Sequence, residues 1–297
     1  MRFVTYEHQG TSSVGAVFDS DVVDLNQWAG RRTDGADWLN DVADLLADAE
    51  MMRAVTVTGL PRTSPTAQLV DLQLLAPVLR PTKVIGVGMN YRSFARQLGE
   101  PDPQHLSVFH KTSSALNAHQ RAVERPLHVR ELVPEGELAI IIGRRTRRVS
   151  ALEAWDSIGA LSCANDISAR DLEFRTSQWT AGKMLPTSCP LGPFAVTPDE
   201  VDLDAGLDVS TYLNGVEIQR GRTTDMFFSA DELIAALSFL VDLEVGDVVL
   251  TGTPSDLGAC EPPVFLQDGA VVEVEVTHLG RLTNTVRDLM SSATPHT

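Results

Sequence analysis

Hydrophobic and polar residues alternate in short runs along most of this chain. At the start, the segments RFVTY, GAVF and DVVDL are separated by glycine and aspartate, a pattern that predicts short antiparallel strands. Residues 37–55 instead carry apolar side chains at helical spacing, namely Trp38, Leu39, Val42, Leu45 and Leu46. Together these segments predict a small first domain of strands and one helix.

The pattern then changes to a connector and a longer series of strands. LPRTSP and the prolines at 77 and 81 place a domain boundary between about residues 60 and 80. The strand segments that follow are KVIGVG, SVFH, ELAIIIG, IGALSCANDIS, LDVSTYLNG, GDVVLTG and VVEVEVTHLG. We therefore predict an α+β fold that is mostly β, with a small N-terminal α/β domain over residues 1–70 and the core over residues 80–297.

Two helices of the core are indicated by their first residues. Ser150 and Glu153, and again Ser229 and Glu232, have the Ser-x-x-Glu spacing of a capping box. The second helix continues as one apolar face with Leu233, Ile234, Leu237 and Leu240. Strands and helices do not alternate strictly, so a doubly wound nucleotide-binding fold fits poorly.

Two glycine-containing segments fail as nucleotide motifs. Gly86-Val-Gly88 follows a predicted strand, but Tyr91 stands where the dinucleotide fingerprint needs its third glycine. Gly182-Lys183 lacks the Ser or Thr of a phosphate-binding loop. Neither segment predicts a nucleotide site.

The composition narrows the class of protein. The 297 residues are 43% apolar, enough to bury a sizeable core. With 24 Lys and Arg against 40 Asp and Glu, the formal net charge of −16 disfavours nucleic acid and anionic membranes as partners. The three cysteines show no paired metal spacing, and neither a signal peptide nor an apolar run of roughly 20 residues is present. We expect a cytoplasmic protein.

Two glutamates in one strand segment are the first candidate chemistry. Glu135 and Glu137 stand at positions i and i+2 of EGELAIIIG, so both side chains project to one face of a strand. Two close carboxylates repel each other unless one is protonated or a cation binds. Oxygen ligands favour a hard ion such as Mg²⁺, Mn²⁺ or Ca²⁺ over zinc. The alternative is a strand with one solvated face.

Three further polar segments follow strands or lie in loops. NDISARD places Asp166 and Arg170 at the end of an apolar strand, although a plain turn would use the same residue types. The loop around Lys183 is rich in proline, and the alternative there is a solvated lysine. The segment DVVLTGTP ends in hydroxyl and backbone N–H groups around Thr253 that could receive a carboxylate, or could form only a turn.

In this order and spacing, the segments resemble the fumarylacetoacetate hydrolase family, with its decarboxylases, isomerases and oxo-acid hydrolases. The similarity covers roughly residues 83–286, in KVIGVGMNY, VFHKTSSAL, EGELAIIIG, NDISARD, GK with CPLGP, LNGVEIQRGRTTDM, LEVGDVVLTGTP and HLGRLTNTV. Residues 1 to about 70 match only the variable small domain that precedes the core in many members. The resemblance implies a β-rich roll for the core and a homodimer.

The resemblance also implies roles for individual residues. The metal ligands would be Glu135, Glu137 and Asp166, holding Mg²⁺ or Mn²⁺, with Ca²⁺ as a further option. The catalytic groups facing the substrate would be Lys183 and Arg170, and Thr253 would receive its carboxylate. We name Glu173 and Gln219 as further substrate-binding candidates, although Glu173 stands where the family commonly has Gln. An oxo acid or 1,3-dicarbonyl can chelate such a cation, which stabilises the enolate left when a C–C or C–H bond breaks. Lys183 and Arg170 would add positive charge where oxyanion charge develops.

One part of the family pattern is missing. Members that hydrolyse or decarboxylate typically carry NY-x-x-H-x-x-E, but here Phe94 and Gln97 occupy the places of His and Glu. Neither residue acts as a general base near neutral pH. A nearby histidine is the first explanation, with His105, His110 and His119 following this segment. We name His119 as the catalytic candidate, against the usual structural or solvated role of such a residue. The second explanation is a reaction that activates no water.

The function expected from these observations is a divalent-metal-dependent enzyme acting on a small 2-oxo acid or 1,3-dicarbonyl acid, by C–C hydrolysis or decarboxylation. The alternative on the same scaffold is a non-hydrolytic isomerase or tautomerase, a dehydratase or a cyclase. A different class, a catalytically silent protein that binds a metal or ligand, is favoured only by Phe94 and Gln97. Fold by itself does not decide among these reactions.

Overall fold

The computed structural model describes residues 1–33, 35–60 and 65–289, and strands dominate these residues. The strands are β1 (Arg2–His8), β2 (Thr11–Phe18), β3 (Asp21–Asp24), β4 (Ala67–Gln68), β5 (Val84–Gly88), β6 (Ser107–Lys111), β7 (Leu116–Asn117), β8 (Val123–Pro126), β9 (Leu132–Val133), β10 (Gly136–Ile142), β11 (Ile158–Asn165), β12 (Ser168–Ala169), β13 (Cys189–Val196), β14 (Asp208–Leu213), β15 (Val216–Arg222), β16 (Val248–Leu250), β17 (Val271–Val276) and β18 (Gly280–Leu289). The expected mostly β fold is confirmed.

The helices are short, apart from one. They are α1 (Leu25–Trp28), α2 (Val42–Ala47), α3 (Ala49–Arg53), α4 (Arg92–Leu98), α5 (Ala151–Ala154), α6 (Arg170–Glu173), α7 (Thr180–Lys183) and α8 (Ala230–Leu240). A π-helical turn, Ala54–Thr58, follows α3. Within the described ranges, no helix is long and apolar enough to cross a membrane.

Most strands belong to one large sheet. Its order is β4-β3-β2-β1-β13-β11-β10-β16-β5-β6, and β7 pairs with β13 at the side. Arg2 pairs with Val196, so the N-terminal strands extend the sheet of the core through β1 and β13. The division into residues 1–70 and 80–297 stays a prediction.

A second sheet, in the order β15-β14-β17-β18-β8, covers the first across an apolar core. Ile140, Leu161 and Val274 belong to one buried cluster with Leu233 and Ile234 of α8. Both predicted capping boxes, at Ser150 and Ser229, are confirmed. Leu240 does not share the buried face predicted for it, because it is the last residue of α8 and is 69% exposed.

The single helix predicted over residues 37–55 is wrong in its extent. Asp41 accepts hydrogen bonds from the backbone amides of Ala43 and Asp44, so the helix begins only at Val42. Asp48 ends α2 and then caps α3 by accepting from the amide of Met51. These side chains bond to local backbone groups, and this competition breaks the run that the apolar spacing predicts.

Candidate metal centre and substrate cavity

Three buried carboxylates meet where two central strands end. Glu137 lies in β10, Glu135 immediately precedes that strand, and Asp166 immediately follows the neighbouring β11. The antiparallel pairing sets Gly136 opposite Asn165, and the amide of Asp166 donates to the carbonyl of Glu135 at 2.9 Å. One oxygen from each of the three carboxylates lies within 4.8 Å of the others. The strand geometry therefore brings together the three residues expected to bind a metal.

Hydrogen bonds hold two of these carboxylates in place. The hydroxyl of Ser168 donates to Oε1 of Glu135 at 2.7 Å. The backbone amide of Gly252, in the turn after β16, donates to Oε2 of Glu137 at 2.7 Å. Gly252 has φ of +99°, a conformation that disfavours any side chain, so the turn requires glycine there.

Two buried lysines contact the same carboxylates. Nζ of Lys183 lies 2.9 Å from Oε2 of Glu135 and 2.8 Å from Oδ2 of Asp166. Nζ of Lys111, at the end of β6, lies 2.7 Å from Oδ1 of Asp166, and its side chain is fully buried. The sequence argument missed Lys111, although a lysine that ends the strand SVFHK inside a matching segment was a usable signal.

Arg170 links the carboxylates to two further acidic residues. Its Nη2 lies 2.9 Å from Glu135 and 3.1 Å from Asp256, and its Nη1 lies 2.8 Å from Glu173. The side chain of Glu173 is buried, at 2% exposed. Asp256 was not predicted, because it lies in an irregular turn with no motif of its own.

The charges of this cluster leave room for a divalent cation. Five carboxylates, those of Glu135, Glu137, Asp166, Glu173 and Asp256, face three cations, those of Lys111, Arg170 and Lys183. When all five carboxyl groups are ionised, two negative charges therefore have no counter-charge within this group. An ion such as Mg²⁺ or Mn²⁺ would supply the missing charge and prefers oxygen ligands, so these residues fit the metal.

The protonation of the cluster follows from burial and charge. Burial, with the negative charges of Asp166 and Glu135, raises the pKa of Glu137 well above its usual value. Burial alone would lower the pKa of Lys183, but the carboxylates of Asp166, Glu135 and Glu173 raise it instead. Lys183 is therefore positively charged at neutral pH.

A small cavity of about 100 Å³ opens onto these groups. The charged and hydroxyl residues that line it are Glu135, Glu137, Arg170, Glu173, Lys183, Thr253 and Asp256. The apolar residues that line it are Val87, Met89, Phe94, Leu98, Phe109, Phe174 and Trp179. Since sites for drug-sized ligands measure about 300–1,000 Å³, this cavity suits a much smaller molecule.

Two predicted site residues lie outside the cavity lining. Nε2 of Gln219 donates to Oγ1 of Thr253 at 2.9 Å, so Gln219 orients the threonine from behind instead of facing the cavity. His119 is also absent from the lining of this cavity. Its Nδ1 accepts a hydrogen bond from the backbone amide of Thr283 at 3.1 Å, and this bond ties it to β18. Burial lowers the pKa of His119.

The two residues that replace the usual His and Glu lie on α4 beside the cavity. Phe94 lines it and is 8% exposed. Gln97 points to the turn at Asp256, where its side chain bonds to the backbone. No histidine lines this cavity among the residues the structure describes.

Comparison with known proteins places this site in a family. The model of the fumarylacetoacetate (FAA) hydrolase C-terminal domain matches residues 83–287, a range that contains every cavity residue. The chain belongs to the fumarylacetoacetate hydrolase family. This family match spans the residues from β5 into β18.

Two similar proteins are named for the same reaction. The human oxaloacetate tautomerase FAHD2A, mitochondrial, is 36% identical over 248 residues, which cover 82% of this chain and 79% of that protein. The oxaloacetate tautomerase YisK of Bacillus subtilis is 39% identical over 223 residues, covering 73% and 74% respectively.

Solved structures share the fold over nearly the whole chain. A putative HpcE protein from Mycobacterium smegmatis has a TM-score of 0.86 at 28% identity, covering 97% of this chain and 99% of that one. The maleylpyruvate hydrolase from Sphingobium sp. SYK-6, in complex with manganese(II) and pyruvate, has a TM-score of 0.80 at 26% identity, with the same coverage.

Proposed function

We propose that this family member is a divalent-metal-dependent tautomerase that interconverts the enol and keto forms of a small 2-oxo dicarboxylic acid of the oxaloacetate type. The observation that carries the proposal is a 100 Å³ cavity in which three carboxylates, Lys183 and Arg170 converge without a histidine among its described lining residues. Two relatives named as oxaloacetate tautomerases support this choice of reaction.

Different residues of the site would bind the cation and the substrate. Glu135, Glu137 and Asp166 would hold Mg²⁺ or Mn²⁺, which when bound supplies a Lewis acid that stabilises negative charge on the substrate's oxygens. Lys183 and Arg170 place fixed positive charge on the same side of the cavity. Thr253, oriented by Gln219, offers its hydroxyl to a substrate carboxylate.

Tautomerisation needs one proton to leave the enol hydroxyl and one to reach the neighbouring carbon. Glu173 is our candidate for this transfer, because it lines the cavity and carries a carboxyl group. Burial raises its pKa, although Lys183 and Arg170 oppose the rise. A carboxyl group with a raised pKa exchanges protons more readily near neutral pH than an ordinary one does.

Hydrolysis of a C–C bond is the second candidate, and it has weaker support. It is favoured by the similar maleylpyruvate hydrolase structure, which contains manganese and pyruvate. However, hydrolysis requires a base that activates water, and Phe94 and Gln97 provide none. Proton transfer within one substrate does not have this requirement, so the replacement of His and Glu favours the tautomerase.

The test follows oxaloacetate after addition of metal-free, Mg²⁺-loaded or Mn²⁺-loaded protein, with protein-free metal solutions as blanks. Decay of the enol's ultraviolet absorbance measures tautomerisation, and pyruvate release measures decarboxylation. We expect metal-dependent enol decay without pyruvate release, lost in Glu135→Gln and kept in Glu217→Gln, an exposed residue on β15.

Other outcomes are separable in the same experiment. Metal-dependent pyruvate release would replace the tautomerase with a decarboxylase, and turnover of acylpyruvates alone would favour the hydrolase. Metal binding with no turnover of any oxo acid would contradict the proposal and leave a silent binding protein.

A further inference from the structure

A second, larger cavity adjoins the candidate site. It measures about 610 Å³, and its apolar lining includes Ile85, Leu237, Leu240 and Val241. Among the described residues, this outer groove and the small cavity share two lining residues, Phe109 and Trp179. These two aromatic side chains are therefore the partition between the two spaces.

Two glycines of β5 make room for the partition. Phe109 pairs with Gly86 across β5 and β6, and a Cβ on Gly86 would lie 2.1 Å from Cζ of its ring. A Cβ on Gly88 would lie 2.6 Å from Cζ3 of Trp179. Because the two glycines stand at i and i+2 of one strand, they face the same side of the sheet. The segment Gly86-Val-Gly88, which fails as a nucleotide motif, thus leaves space for both rings to pack against the strand.

The partition touches a group that would face the substrate. The rings of Phe109 and Trp179 meet edge to face, with centroids 6.0 Å apart and planes at 66°. Nζ of Lys183 lies 4.7 Å from the centroid of the Phe109 ring. A ligand held by Lys183 therefore lies next to this partition of Phe109 and Trp179, which we call the aromatic wall. The wall limits how far the ligand can extend.

We propose that Phe109 and Trp179 determine the length of substrate that this enzyme accepts, restricting it to short 2-oxo acids by closing the small cavity off from the outer groove. This inference rests on the proposed function, since it concerns the 2-oxo acid bound at that site. It assigns the two aromatic residues a role in specificity rather than in the chemical step.

Opening the aromatic wall should change the affinity for longer 2-oxo acids by a predictable factor. When Trp179 is replaced by a smaller residue, the small cavity joins the outer groove, and the tail of a longer 2-oxo acid can lie against the apolar part of its lining. Complete burial of each further methylene group strengthens binding by about fourfold. In the unaltered protein the ring occupies this path, so a longer tail gains nothing or is excluded.

The experiment measures binding, so that it does not depend on turnover. Mn²⁺-saturated protein is titrated calorimetrically with straight-chain 2-oxo acids from pyruvate to 2-oxooctanoate. For the unaltered protein we expect affinity to stop rising after the first members of the series. For Trp179→Ala and for the milder Trp179→Leu we expect it to rise with each methylene, by up to about fourfold.

Two controls separate the wall from a change in folding. Mn²⁺ affinity, measured in each variant, should remain that of the unaltered protein. Leu240→Ala removes apolar surface from the outer groove without touching the wall, so alone it should leave the chain-length profile unchanged. Combined with Trp179→Ala, it should reduce the gain for the long acids.

Each result decides between the two proposals. Tight binding of 2-oxooctanoate by the unaltered protein, or the same profile in the Trp179 variants, would overturn the wall. A changed profile without turnover of any oxo acid would uphold the wall and overturn the tautomerase. Binding of no acid by any of these proteins would overturn both.

Discussion

Gln97 and Asp256 hold each other through two hydrogen bonds. Nε2 of Gln97 donates to the carbonyl oxygen of Asp256, and the amide of Asp256 donates to Oε1 of Gln97, both at 2.8 Å. The carboxylate of Asp256 in turn contacts Arg170, which contacts Glu135. The position of α4 is therefore tied to a residue beside the candidate metal ligands.

Gln97→Ala should loosen α4 from this turn. It removes two hydrogen bonds worth about 1 kcal/mol each, so amide hydrogen exchange over residues 92–98 should accelerate by about 30-fold. Gln73→Ala is the matched control, because it removes an exposed glutamine bond to Glu7 far along the chain. Unchanged exchange in α4 would show that the two bonds do not hold the helix.

Lys111→Met should destabilise the metal-free protein strongly. The substitution keeps most of the length of the buried side chain but leaves Asp166 with one counter-charge fewer, at a cost of about 3–5 kcal/mol. Saturating Mn²⁺ should reduce this loss, because the cation replaces part of the missing positive charge. Thermal melting with and without Mn²⁺ measures the difference.

Lys83→Met provides the comparison for that variant. Nζ of Lys83 lies 2.8 Å from Asp247, so the control also removes a lysine from a buried aspartate, but outside the cavity. Its loss of stability should be the same with and without Mn²⁺. Equal behaviour of the two variants would count against a metal near Asp166.

Glu137→Gln should separate metal binding from folding. It removes a ligand, so the rise in melting temperature caused by Mn²⁺ should disappear. It also removes a carboxyl group whose charged form is disfavoured by burial, so the metal-free melting temperature should stay level or increase. Glu50→Gln, in α3, should keep the full response to Mn²⁺.

The stability of the metal-free protein should fall as the pH rises above the usual carboxyl range. Burial and neighbouring charge raise the pKa of Glu137, so the folded protein retains a proton that the unfolded chain has already lost. Stability therefore decreases with pH until the folded group also ionises. Melting temperatures across pH should show this slope, and Mn²⁺ or Glu137→Gln should flatten it. If the melting temperature of Glu137→Gln still falls with pH, groups other than Glu137 cause the slope.

Local patterns were sufficient for much of the site. The i, i+2 spacing of Glu135 and Glu137 and the polar group after the next apolar strand predicted carboxylates that the structure brings within 4.8 Å of one another. Alternation and capping boxes are short-range properties, so a sequence carries them directly. The family match over residues 83–287 likewise rests on ordered local segments. A homodimer and a cytoplasmic location stay predictions.

Only the tertiary structure decided which distant residues complete the site. Lys111 reaches Asp166 from a strand end and Asp256 reaches Arg170 from a turn, and nothing in their own segments requires either contact. The tertiary structure also decided that His119 bonds to β18 and that Phe109 and Trp179 pack against two glycines. By itself the sequence determined the elements and the chemistry they carry. Long-range packing, which depends on the shape and charge of distant segments, determined which residues surround the candidate site.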